Sequence, residues 1–80
     1  MKVSESVSKD IEKIQKKIHR ARSHLIALYT TLKRQEDAGA PISFIILTKM
    51  NIIEEEGEVK KLLYIREHLN RLYKQEKVKT

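Results

Sequence analysis

Three histidines and one run of carboxylates are the residues of this 80-residue chain best suited to metal binding or proton transfer. His19 and His24 stand five apart, so they do not share a helix face as ligands at i, i+4 do, and His68 is far from both. A metal centre built from them needs tertiary convergence, and the expectation is three ordinary histidines on helix flanks. Glu54, Glu55, Glu56 and Glu58 cluster around Gly57. An acid/base pair requires two carboxyl groups in unequal, partly buried surroundings, whereas four Glu around a Gly read as a solvated turn. They could also pair with the basic flank of the first helix, a contact worth little where exposed. No phosphate-binding loop, nucleophile elbow or triad spacing occurs, and the serines read as caps and surface hydroxyls. The chain contains no cysteine, which excludes disulfides, thiolate zinc sites and a thiol nucleophile. The expectation is a protein without catalytic residues, metal or cofactor; a small all-α enzyme is the least favoured alternative.

Basic side chains are the other chemistry on offer. Lys and Arg number 17 against 11 Asp and Glu, for a net charge of +6. That balance attracts polyanions without choosing among nucleic acid, anionic lipid and acidic peptide. Lys9, Lys13, Lys16 and Arg20 fall on one helix face, with Lys17 and Arg22 beside it. A solvated face opposite a core looks like this, and so does a stripe that tracks phosphates. Aromatic residues are not interleaved with it, so stacking on single-stranded bases has no support. We take Lys13, Lys16, Lys17 and Arg20 as the candidate basic flank.

The elements that position these groups follow from composition and period. The chain is 40% hydrophobic and 35% charged, with two Gly and one Pro, which favours a few long helices within one domain spanning residues 1–80. No apolar run is long enough to span a bilayer, and the first ten residues lack a signal core, so an intracellular location is expected. Val7, Ile11, Ile14, Ile18, Ala21, Leu25, Leu28 and Leu32 alternate spacings of four and three. This a/d seam predicts a helix over about 8–37, with Ser6 or Ser8 as its cap and Gly39 and Pro41 ending it. Ser43 is the expected cap of a second helix, with Ile42 and Leu47 as a hydrophobic staple.

Val59, Leu62, Ile65, Leu69 and Leu72 mark a further amphipathic stretch. Projected at about 100° per residue, the stripe of Ile46, Met50 and Ile53 does not run into it. That phase shift, together with Gly57 followed by Glu58, predicts a break. Three carboxylates near a helix C-terminus argue the other way. The expected fold is all-α: a small three-helix domain, with helices over about 8–37, 44–55 and 58–76 and a fraying polar tail. The alternative is a two-helix antiparallel coiled-coil hairpin.

The second segment is apolar on several faces, more than a small core needs. This excess predicts a surface for a protein partner or a second copy, built from Phe44, Ile45, Met50 and Leu63. Nucleic acid is the alternative partner class, through the basic flank.

The run Pro41-Ile42-Ser43 to Ile52, followed by Val59 and Leu62 with basic neighbours Lys60 and Lys61, resembles the N-terminal helical domain of transcription elongation factor S-II. That family includes the integrase-binding domain of the lens epithelium-derived growth factor. Leu28, Leu32 and Leu47 also fit its pattern. Met50 stands where the family has Thr and Ile53 where it has Gly, and extra residues separate Ile52 from Val59. Tyr73-Lys74 stands where the family tends to carry Trp-Lys. The match covers under half the chain. The resemblance implies a nuclear module that docks short acidic-hydrophobic segments of disordered transcription partners; without it, the location expected is cytoplasmic.

Overall fold

A computed structural model describes residues 3–79, with side chains from Glu5 to Gln75. Two helices, α1 (Val3–Asp37) and α2 (Ile42–Lys79), pack along one another as an antiparallel hairpin about 60 Å long and 15 Å across. The fold is all-α. The three-helix arrangement is not formed, and the two-helix hairpin fits. Among the described residues α1 begins at Val3, upstream of the expected serine caps. The tail expected to fray is helical to Lys79.

The turn follows from Gly39. Its φ of 65° places it in the left-handed region, at the position after the last helical turn. The Gly39 amide donates to the Glu36 carbonyl at 3.2 Å and the Ala40 amide to the Gln35 carbonyl at 2.9 Å. These are the two bonds of a Schellman motif, which satisfy carbonyls that the helix end leaves open. Pro41 then starts α2: its carbonyl accepts from the Phe44 and Ile45 amides at 3.0 and 3.4 Å. Ser43, the expected cap, lies within the first turn of the helix.

The break at Gly57 does not occur, because the stripe that faces α1 is not the one the apolar residues first suggest. Ile45, Thr48, Ile52, Glu55, Val59, Leu62, Arg66, Leu69 and Tyr73 alternate spacings of three and four without interruption, and all are buried or half-buried. This is one continuous seam, matched to the one on α1. Ile46, Met50 and Ile53 are exposed on the outer side of the same helix. The apparent phase shift was between an outer stripe and an inner one.

The core sits near mid-rod, where Ile18, Ala21, Val59 and Leu62 are buried and Ile14, Leu25 and Leu63 pack against them. Ile18 is the most enclosed, at 3% exposure. Leu25→Ala is expected to cost roughly 2–5 kcal/mol by removing atoms from this packing. Lys13→Ala, on the outer face, should stay within about 0.5 kcal/mol.

The two glycines make a sharper test, because the same substitution should have opposite signs. A Cβ at Gly57 meets nothing within 4 Å, and the backbone there is helical. Gly57→Ala should therefore stabilise the hairpin by about 0.5–1 kcal/mol. Gly39→Ala meets no atoms either, but must hold a positive φ, and should destabilise by about 1–2 kcal/mol. Urea denaturation of both variants checks the pair; a destabilised Gly57→Ala would restore the break.

Candidate functional site

Two side-chain pairs flank the seam and join the acidic run to α1. Glu55 occupies a seam position, and its carboxylate accepts from His24 Nδ1 at 3.1 Å. On the other flank of the hairpin, the Tyr29 hydroxyl donates to the Glu56 carboxylate. The acidic run is thus mid-helix, with Glu55 and Glu56 partnered across the hairpin and Glu54 and Glu58 exposed, not the solvated turn expected from its composition. The acceptor carboxylate favours the protonated phenol, and the hydrogen bond to Glu56, followed by desolvation and the Glu56 charge, raises the Tyr29 pKa above its ordinary 10.0.

A third polar contact lies nearer the turn. Thr48 is buried in the seam, with its hydroxyl 2.8 Å from Gln35 Oε1 and 3.1 Å from the Phe44 carbonyl. Gln35 continues the seam of α1 by one more step after Leu32. The pair satisfies two polar groups that meet where the heptad pattern brings the helices together.

Among the described residues no three His, Cys, Asp or Glu side chains converge on a point that could hold a metal ion. His19 and His68 lie exposed on different helices. Concavities are shallow and solvent-open. One, between the helices, is lined by Lys17, Arg20 and His24 on α1 and by Glu55, Glu58 and Leu62 on α2.

The predicted partner-binding residues do not share one surface. Phe44 and Met50 are exposed, whereas Ile45 lies in the seam and Leu63 packs on the core. Residues outside the predicted set, Ile26, Ile42, Ile46, Leu47 and Ile53, are exposed as well. The signal was present, since in the register of the true α2 seam Ile46, Leu47, Met50 and Ile53 fall at outward positions that a coiled coil ordinarily keeps polar.

The residues of the predicted basic flank are all exposed. Lys9, Lys13 and Lys16 lie on the outer side of α1, while Lys17 and Arg20 border the concavity between the helices. The hairpin adds what linear spacing does not show. Among the described side chains, residues 5–24 and 60–75 hold 11 Lys and Arg but only four Asp and Glu. Antiparallel packing brings these two stretches to the half of the rod away from the turn. The turn half, residues 25–59, carries three basic and six acidic residues. Charge is therefore segregated along the rod.

Compared with family models, curated proteins and solved structures, the chain matches none. No helix among the described residues is long and apolar enough to cross a membrane.

The Tyr29–Glu56 pair sets a pH dependence. A hydroxyl whose folded pKa is raised adds stability that is complete below the ordinary value and is lost as pH climbs through the raised one. Titration followed by tyrosinate absorbance should show Tyr29 ionising above its ordinary value. Glu56→Gln should return it towards 10 and remove that part of the alkaline loss of stability. An unchanged titration in Glu56→Gln would show that the contact does not persist in solution.

Proposed function

We propose that the chain is a non-catalytic helical hairpin that binds nucleic acid along its phosphate backbone, through the basic half of the rod. The observation that supports this is the gathering of Lys and Arg from both ends of the sequence into one half of an elongated molecule. Lys9, Lys13, Lys16 and Arg20 advance along α1 by about 4.5–6 Å per step at 1.5 Å per residue, a spacing that suits successive backbone phosphates. On α2, Lys60, Lys61, Arg71 and Lys74 are exposed in the same half. Arg71 also pairs with Glu67 at 2.8 Å, an exposed contact that a phosphate could displace at small cost. Lys and Arg contacts to phosphate carry affinity without sequence information, so binding should be of low sequence specificity. The shared charge would also serve an acidic peptide, which the experiment distinguishes.

The second reading, a module that docks a protein through apolar surface near the start of α2, is favoured by the exposure of Phe44 and Met50. If the resemblance to the elongation-factor domain holds, the ligand of that surface would be an acidic-hydrophobic segment of a transcription partner.

Titration of a labelled 20-base-pair duplex between 50 and 200 mM salt tests the first reading. About four phosphate contacts give a slope of log K on log salt near −3.6, so affinity should fall roughly a hundredfold across that range. Lys16→Glu with Arg20→Glu should flatten the slope by about 2 and weaken binding at every salt concentration. Absence of binding at 50 mM salt, or binding indifferent to the charge reversal, would overturn it. Tighter binding to poly-aspartate than to the duplex at equal salt would move the assignment to acidic peptides.

A further inference from the structure

The outer side of α2 near the turn has the wrong chemistry for a solvated helix face. Ile42, Ile46, Met50 and Ile53 are spaced four, four and three, the spacing of a helix-packing stripe, yet each is more than half exposed. Ile42 reaches 75% and Ile53 69%. Their helical phase places them on the Glu56 flank of α2, the flank that Tyr29 of α1 contacts. Tyr29 and Ile26, also at least half exposed, continue the patch onto α1. Phe44 and Leu47 fall towards the other flank, that of Glu55 and His24.

We infer that a second copy of this chain covers this flank, packed antiparallel about a two-fold axis near Met50, so that the turn halves overlap and the basic halves point apart.

Area, charge and core size argue for that occupant. Half to three-quarters of six large side chains amounts to on the order of 800 Å² per copy, about what each partner contributes to a stable interface of standard size. The patch is self-complementary: an isologous contact sets apolar residues against apolar residues and needs no oppositely charged partner. Between Pro41 and Ile53 the only charged residue is Lys49. Side-by-side parallel packing would superpose the two basic halves, whereas overlap at the turn halves keeps them at opposite ends, beyond the screening distance of about 8 Å in physiological salt. The single hairpin also has little core of its own. Its buried apolar residues are Val7, Ile18, Ala21, Ile52, Val59 and Leu62, and no large side chain among the described residues is fully enclosed. Chains of this size gain needed stability from association.

The test is sedimentation of the full chain from about 1 to 100 µM in 150 mM salt, a range over which a standard-size interface is expected to show its dissociation. The expected mass is twice 9.4 kDa at the upper end. Ile46→Glu with Ile53→Glu should weaken the dimer at least tenfold, since truncating central apolar anchors costs that much or more. Helical circular dichroism should persist, because neither residue is in the seam. Phe44→Glu with Leu47→Glu, on the other flank, should leave the dimer intact. A wild-type monomer at 100 µM would overturn the inference and leave the patch to a different partner. A dimer that survives the first pair of substitutions, or that both pairs dissolve equally, would overturn it too. Should the first variant unfold, the wild type still decides: its melting temperature must rise with protein concentration if folding and dimerisation are linked, and a flat value refutes the dimer.

Discussion

Among the described residues, the seam between α1 and α2 is the only contact between elements, and everything else depends on its register. A two-helix hairpin has no third layer to correct a slipped pairing. Sliding one helix by a heptad along the other would preserve most apolar contacts, since Ile, Leu and Val recur at every step. The polar residues in and beside the seam do not tolerate such a slide. Thr48 opposite Gln35, Glu55 opposite His24 and Glu56 opposite Tyr29 each need one partner at one level. Their energies are individually small where exposed. Their role is to distinguish one pairing from its neighbours, as a polar residue at a single core position does in coiled coils. The four-residue turn acts with them, because the Schellman motif at Gly39 fixes where α1 stops and Pro41 fixes where α2 begins.

Those register-setting residues also made half of the fold hard to read. The seam of α1 is apolar from Val7 to Leu32, so its period announces one long helix, five residues short of the observed one at its start. In α2 the seam carries Thr48, Glu55 and Arg66, and the outer face carries Ile46, Met50 and Ile53. A reading that assigns apolar residues to the core then follows the outer stripe first and the inner stripe later, and finds a break between them. Gly57 sits near that change and offers a ready cause for it. The structure shows the glycine exposed in a continuous helix, where it costs helix propensity and supplies nothing that a Cβ would prevent. The carboxylate run pointed correctly to continuity, because three Glu oppose the dipole of a helix end. Propensity and pattern conflicted here, and the long seam prevailed.

Of the candidate sites, the basic stripe on α1 was legible because it needs only one helix and a 3.6-residue period. Its continuation on α2 was not. Residues 60–75 lie far from residues 5–24 in sequence, and only an antiparallel hairpin makes them neighbours. The predicted apolar site was legible as an excess of hydrophobic residues but not as a surface. Knowing which residues are left over requires knowing which ones the seam has used, and Ile45 and Leu63 are used.

The two halves of the rod answer different physical demands. The turn half is rich in apolar surface and slightly acidic, so attraction to itself is short-ranged and weakly opposed by charge. The basic half repels its own kind over the length of a screening layer and attracts polyanions over the same distance. A chain that placed both features on one face would set them against each other, because association through the apolar residues would crowd the cations. Separation along the axis of a hairpin about 60 Å long removes that conflict. Two copies joined at their turn halves would present basic arms at opposite ends, and two weak phosphate-binding arms on one rigid body bind a long polyanion far more tightly than either arm alone. On this reading the apolar excess of α2 serves affinity for nucleic acid without touching it, and the length of the helices matters because it sets the distance between the arms.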